Sequence, residues 1–290
     1  MVDLTRFFIL GNPRSGTSLF RLMLNMHPNI VVPPESGFLH WWSTKYNNWS
    51  QSDNTSRIDE YLEDLMSSKK FETWGVDKKK LKYYLISNRP KNYLELTSLV
   101  YLFYKGDERV KLVGDKNNYY VSHINDLLKI WPDAFFLHIV RDVRDVYSSY
   151  KDLNELQTTS AYKPELSTNP EDVVKEWLAN NENIESLSSS FPDRYYLIKY
   201  EDIISDPLKT LSALCDFLGI KFSDEMLNYH LKEGKKFIEP EGTLDWKKKT
   251  RDKLDTNNIG RYKRSLSGSV INLIEELSMQ KLKAYGYEKS

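Results

Sequence analysis

Residues 6–35 read RFFILGNPRSGTSLFRLMLNMHPNIVVPPE, and the fold follows from this stretch. A short apolar strand over 7–10 runs into a loop bounded by Gly11 and Gly16. A helix follows at once, with Leu19, Leu22, Met23 and Met26 at i, i+3, i+4 and i+7. Strand, glycine loop and helix in that order make an anion cradle: backbone N–H groups of the loop and of the helix N-terminus converge on one spot and favour negative charge there. The nucleoside-triphosphate loop signature sets Gly, four residues, Gly, then Lys and Ser or Thr. Here the glycines keep that spacing and Ser18 holds the hydroxyl position, but Thr17 stands where the lysine belongs and the basic residue lies inside the loop, at Arg14. Such a loop suits a phosphate-like group and lacks the lysine that reaches the β/γ-phosphates of a triphosphate.

Two further stretches have the same strand-then-polar character. Residues 134–140, AFFLHIV, are a continuous apolar run of the kind found in a buried parallel strand, and they end on Arg141. Arg141, Asp145 and Ser149 are spaced i, i+4, i+8, so a helix starting near the strand end puts them on one face. An arginine offers a planar fork to a phosphate and a serine adds a hydroxyl. Residues 195–199, YYLIK, read as a strand followed by Tyr200-Glu201-Asp202. Asp206 then suits a helix N-cap and Pro207 the first helical position, with Leu208, Leu211, Cys215 and Leu218 as the apolar face and Gly219 as the stop.

Strands are predicted over 6–10, 30–33, 110–114, 135–140 and 195–199, and helices over 17–26, 57–67, 119–130, 142–151, 171–188, 207–218, 223–233 and 268–284. This alternation predicts an α/β fold, a central parallel sheet covered by helices on both faces, with ligands beyond the strand C-termini where the three motifs fall.

Composition suits one enzyme domain spanning 1–290. With 41 basic against 41 acidic residues, nothing calls for nucleic acid or an anionic membrane as partner. The basic clusters at 78–82 and 232–236 read as solvated faces, and 247–251 carries more weight because of the segment it precedes. A lone cysteine, Cys215, forms no internal disulfide and suits a reducing compartment. No apolar run approaches the roughly 18 residues that span a bilayer, and the first ten residues are too polar for a signal peptide, so a cytoplasmic enzyme is expected. There is no H-E-x-x-H, no cysteine pair, and five scattered histidines, so no metal is expected.

Pro13-Arg14-Ser15-Gly16-Thr17-Ser18 resembles the 5′-phosphosulfate loop of the sulfotransferases, which move a sulfuryl group from 3′-phosphoadenosine 5′-phosphosulfate (PAPS) to an acceptor. The resemblance extends over roughly 6–40, 109–150, 172–220 and 245–284 and implies the P-loop-NTPase-like sulfotransferase fold. It implies that Arg14, Ser15, Gly16, Thr17 and Ser18 hold the donor's 5′ end, and that Arg141 and Ser149 hold its 3′-phosphate. Tyr200 then lies near the cofactor or packs as a ring at a strand end. In the segment that family members fold over PAPS, Arg261 fits best as the basic residue, with Lys249, Arg251 and Lys263 as competitors.

Sulfuryl transfer needs a base for the acceptor hydroxyl and cations for the charge building on the leaving phosphate. A monoanionic sulfonate has less charge to neutralise than a phosphoryl group, so the chemistry does not require a metal. Counting from His27, Glu35 lands on the catalytic glutamate of the tyrosylprotein sulfotransferases and is the candidate base; His27, His40 and His138 are rivals. Lys116, expected just beyond the 110–114 strand, is the candidate for steadying the bridging oxygen, with Arg14 sharing the task. Gly37 stands where those enzymes carry an arginine, which argues against a protein tyrosine as acceptor; a small-molecule or carbohydrate hydroxyl is expected. Residues 41–108 and 151–171 lie outside the resemblance and are expected to be acceptor-side insertions, with Trp41, Trp42, Trp49 and Trp74 available to stack on an acceptor or to build core. A P-loop kinase of a small metabolite is the alternative, disfavoured by the missing loop lysine and by Arg141 with Ser149. A non-enzymatic nucleotide-binding module is the third reading, and Glu35 with Lys116 argue against it.

Overall fold

The computed structural model describes residues 4–52, 55–231 and 239–290. Five strands, β1 Thr5–Gly11, β2 Ile30–Val31, β3 Leu112–Lys116, β4 Phe135–Val140 and β5 Tyr195–Lys199, form one parallel sheet in the order β2-β3-β1-β4-β5. The chain leaves β1 to build one side of the sheet and then crosses over to build the other. The C-terminal end of β1 is therefore the topological switch point, where a ligand crevice opens. Register sets what meets there: Ile9 pairs with Lys116, Gly11 with Ile139, and Val140 with Lys199.

Both faces of the sheet are covered, as the continuous apolar runs require. Along β1, Phe8 and Leu10 join Phe38, Tyr101, Trp131 and Phe136 in one core cluster. Phe7 and Ile9 point the other way and join Leu22, Met23, Leu137, Ile139 and Leu214 in a second. A third cluster, centred on Trp177, forms where the helices Val143–Glu155, Pro170–Ser190 and Gly268–Ala284 meet. Each fully buried side chain of this size is worth about 1.5–3 kcal/mol, so a polar group in these strands needs a partner. His138 has two, the Tyr195 hydroxyl at 2.7 Å and Asn181 Oδ1 at 2.9 Å. Burial pushes its pKa down to about 4, and the ring is a neutral core group rather than a base.

Several elements differ from the sequence expectation, each for a tertiary reason. The third strand runs two residues further than expected, so Lys116 is its last residue instead of lying beyond it. Charged Asp115 is tolerated inside the strand because the hydroxyls of Tyr101 and Tyr120 donate to it at 2.6 and 2.7 Å. The helix Thr17–Asn25 is buried at every position except Ser18, so its amphipathic pattern understates its burial. The buried Arg21 would be costly unpaired; its guanidinium donates to Glu239 Oε1 at 2.8 and 3.0 Å and to the Val32 carbonyl at 2.9 Å. The expected helix 119–130 is divided into a 3-10 segment, Asn118–His123, and a helix, Ile124–Ile130. Residues 232–233 of the expected helix 223–233, and the basic cluster 232–236, fall outside the described residues.

Among the helices outside the sequence expectation, two are long. Lys78–Asn88 opens on the basic run, capped by Asp77, which accepts from the Lys80 N–H at 3.0 Å. Tyr93–Lys105 is buried on most sides and shows no clean period. Together with Thr55–Ser67 they feed the first core cluster, so 41–108 covers the sheet more than it faces a ligand. Trp49 and Trp74 are buried in that core, Trp42 packs against it, and Trp41 is exposed. Among the described residues no helix is long and apolar enough to cross a membrane.

Candidate active site

The loop after β1 is shaped by two left-handed residues, Arg14 (φ 66°) and Gly16 (φ 92°). Gly16 is required twice over, because a Cβ there would also lie 2.3 Å from the Tyr200 ring. For Arg14 the left-handed backbone costs about 1–2 kcal/mol, and its side chain is held accordingly. Nε donates to Ser149 Oγ at 2.9 Å and Nη2 to the Trp246 carbonyl at 3.2 Å. Arg141, leaving β4, donates from Nη1 to the Arg14 carbonyl at 3.2 Å and from Nη2 to the Asn258 carbonyl at 2.9 Å, and it stacks 4.2 Å above the Tyr200 ring. Tyr200 is thus at once a packed ring at a strand end and a wall of the cavity.

Among the described residues the nearest carboxylate paired with either guanidinium is Asp145, 4.0 Å from Arg141, and it spends its oxygens on the N–H groups of Gly260 and Tyr262. Burial and the neighbouring Arg141 push the pKa of Arg14 down to about 10. Arg141 Nε and Ser15 Oγ are buried without a hydrogen-bond partner. An unmet buried polar group costs about 1–3 kcal/mol. Two neighbouring buried cations, one with an unmet donor, fit a bound anion. Arg261 lines the same cavity and donates to Asp152 at 2.5 Å, while Lys249 donates to Asn258 Oδ1 at 3.1 Å.

A second charge cluster lies in the same cavity. Lys116, at the end of β3, hydrogen-bonds the Glu35 carboxylate and donates to Ser18 Oγ at 3.2 Å; Lys70 holds the other Glu35 oxygen at 2.8 Å. Burial pushes the Glu35 carboxyl up, but Lys116, Lys247 and Lys70 outweigh it and hold the group well below its ordinary value. Burial dominates at Lys116 and brings its pKa down to about 8 despite Glu35. Lys247 is anchored to Glu239 at 2.7 Å, and Glu239 in turn to Arg21.

The cavity has a volume of about 620 Å³. It brings together Arg14, Gly16, Thr17, Ser18, Glu35, Lys116, Arg141, Ser149, Tyr200 and Arg261; Ser15 sits beneath the loop with its hydroxyl buried. The rival bases are elsewhere. His27 bonds the Lys221 carbonyl and the Asn29 N–H, His138 is in the core, and His40 bonds Tyr119 and Asp126. None of the three lines the cavity, and neither do Trp41, Trp42, Trp49 and Trp74. From 41–108 the lining takes Lys70, whereas 151–171 supplies Asp152, Leu153, Leu156, Tyr162, Pro164 and Leu166. Lys70 and the Glu239–Arg21 anchor were not anticipated: Lys70 is one lysine after a helix end, and a buried pair that distant in sequence leaves no local pattern.

A parallel sheet with an anion-cradling loop at the switch point defines the P-loop-like α/β nucleotide-binding class. Within it, the model of the sulfotransferase family matches residues 6–224, and the chain belongs to that family. Protein-tyrosine sulfotransferase 1 of Danio rerio is 25% identical over 240 residues, 80% of this chain and 58% of the relative, so the chain spans less than two thirds of that relative's length. The sulfotransferase domain from the Synechococcus PCC 7002 olefin synthase shares the fold at a TM-score of 0.65 and 20% identity, over 99% of this chain and 97% of that one. Mouse sulfotransferase SULT7A1, determined in complex with PAP, matches at a TM-score of 0.52 and 14% identity over 99% and 87%.

Proposed function

We propose that this chain transfers a sulfuryl group from PAPS to an acceptor hydroxyl. The observation that carries the reading is one cavity holding two charge clusters: Arg14 beside Arg141, whose Nε is unmet, and the Glu35 carboxylate flanked by Lys116 and Lys70. Arg141 and Ser149 would hold the 3′-phosphate, with Arg261 at the rim, and Tyr200 would border the nucleotide. Arg14, Gly16, Thr17 and Ser18 would face the 5′ end, with Ser15 shaping the loop behind them. PAPS supplies the sulfuryl group. Glu35 takes the acceptor proton, and Lys116 with Arg14 stabilises the charge that develops on the bridging oxygen. The kinase reading is not favoured: Thr17 replaces the loop lysine, and its hydroxyl is engaged with Asn118 at 3.3 Å.

The acceptor we assign is a small-molecule or carbohydrate hydroxyl. The Danio rerio relative is named for protein tyrosine, but Gly37 supports a different acceptor here. A Cβ at that position would lie 2.4 Å from the Trp41 ring, so an arginine has no room unless Trp41 moves. Leu153, Leu156, Pro164 and Leu166 give the cavity an apolar wall beside Tyr162, which fits the proposal that 151–171 carries acceptor specificity. The same reading puts the enzyme in the cytoplasm, in keeping with a lone buried thiol, Cys215, that burial pushes up to about 11.

The test is Arg141→Ala. Loss of a charged phosphate contact is worth about 1.5–3 kcal/mol. Affinity for adenosine 3′,5′-bisphosphate should therefore drop about 10- to 150-fold by calorimetry, while affinity for adenosine 5′-phosphosulfate, which lacks the 3′-phosphate, stays within a few-fold. Equal losses for both ligands would remove the 3′-phosphate assignment.

A further inference from the structure

The five histidines look scattered in the sequence, but the fold brings two of them together on the surface. His40, on the turn of helix Phe38–Trp41, faces His123, which precedes the helix Ile124–Ile130. Their rings are 4.4 Å apart between centroids, and Asp126 closes the group. We propose that His40 Nε2, His123 Nδ1 and Asp126 Oδ2 form a binding site for a divalent transition metal of the zinc class, outside the catalytic cavity.

The geometry is close to what such an ion needs. Zinc with ligand bonds of about 2.0–2.1 Å and tetrahedral angles sets neighbouring donor atoms about 3.3 Å apart. Here His40 Nε2 is 3.3 Å from Asp126 Oδ2, His123 Nδ1 is 4.0 Å from the same oxygen, and no pair of the three atoms exceeds 4.8 Å. His123, whose side chain is 36% exposed, is the ligand that would have to move to close the difference. Two imidazoles and one carboxylate suit zinc, cobalt or copper and not the oxygen-seeking magnesium or calcium. Three protein ligands leave a fourth position for water.

The surroundings support the ligands. The other nitrogen of His40, Nδ1, hydrogen-bonds the Tyr119 hydroxyl, and the Tyr119 ring lies against that of Trp41, 6.2 Å between centroids. An outer partner of this kind fixes ring orientation and leaves Nε2 pointing at the ion. Lys129 holds the second Asp126 oxygen, Oδ1, at 2.8 Å and so turns Oδ2 toward the histidines. The placement also has a consequence. His40 follows Glu35 by one short turn, and His123 and Asp126 follow the strand that ends on Lys116. An ion here would tie the two segments that carry the Glu35–Lys116 pair, from outside the cavity that holds it.

The test uses Co²⁺ and Zn²⁺ on the chain after treatment with chelator. Co²⁺ should bind with one equivalent per chain and give the visible bands of a tetrahedral site, and Zn²⁺ should displace it. Zn²⁺ at a hundredfold excess over its Kd should raise the melting temperature by about 4 °C. His123→Ala and Asp126→Asn should each weaken Co²⁺ binding about tenfold or more, and Tyr119→Phe, which only removes the outer partner, by about tenfold. Melting temperatures in chelator, equal to that of the parent chain, establish that the variants are folded; a variant that fails this is replaced by His40→Gln. Absence of tetrahedral bands, or bands and melting shift unchanged in His123→Ala, would overturn the proposal. Because none of the three ligands lines the cavity, that outcome leaves the sulfuryl-transfer reading standing.

Discussion

Glu35→Gln should lower kcat by about 10²–10⁴-fold, the usual contribution of a positioned general base, while affinity for adenosine 3′,5′-bisphosphate stays within about twofold. Glutamine keeps the shape of Glu35 and one acceptor oxygen for Lys116 or Lys70, but it cannot take a proton. The groups proposed to hold the nucleotide include Arg14, Arg141, Ser149 and Tyr200, whereas Glu35 is held by Lys116 and Lys70. The loss should be larger for a sugar hydroxyl than for a phenol, because a phenol ionises more easily. A near wild-type rate on a sugar-type acceptor would place the base elsewhere, and His40 is not available for the role since it lies outside the cavity. A stability signature accompanies the kinetic one. The folded pKa of Glu35 lies well below its ordinary value of 4.5, so its stabilising contribution is present above that value and is lost as pH falls through the depressed folded value. The melting temperatures of the two chains should therefore converge on acidification.

Lys116→Ala should cost about 10²–10³-fold in kcat, the scale of losing one preorganised donor at a developing oxyanion. The pH profile separates charge from shape. The Lys116 pKa is brought down to about 8, so the ammonium that the chemistry needs is present below that pH and is lost above it. The wild-type rate should fall as pH rises through about 8. Lys116→Arg, which stays charged throughout, should keep some activity and lose that alkaline limb. An unchanged limb in Lys116→Arg would assign the titration to another group.

The parts of this fold that were legible in the sequence are those whose cause is local. Strand β1, its glycine loop and the following helix are written in adjacent residues, and β4 is apolar apart from His138 because both of its faces are buried. Arg141 and Ser149 could be paired because a strand end followed by a helix sets their geometry. Where the sequence misled, a distant partner had overridden the local pattern. Asp115 and Lys116 extend β3 because two tyrosine hydroxyls and Glu35 receive their polar groups. The helix Tyr93–Lys105 is buried on too many sides to show a period. Lys70 reaches Glu35, and Glu239 reaches Arg21, only through the folded chain. The same is true of His40 and His123, whose meeting no spacing announces. The role of Asp145 was half legible: it shares the Arg141 face, but its carboxylate clamps the backbone of Gly260 and Tyr262, the segment that covers the two arginines.

The central claim is that a cradle built on Arg14 and Arg141, without a loop lysine, takes a nucleotide bearing a 3′-phosphate in place of a triphosphate. Calorimetric titration of the intact chain with adenosine 3′,5′-bisphosphate and, separately, with ATP and Mg²⁺ tests it most directly. We predict that the bisphosphate binds at least about a hundredfold more tightly, the sum of a gained arginine–phosphate contact and a missing lysine. ATP binding as tightly as the bisphosphate, or more tightly, would contradict the account.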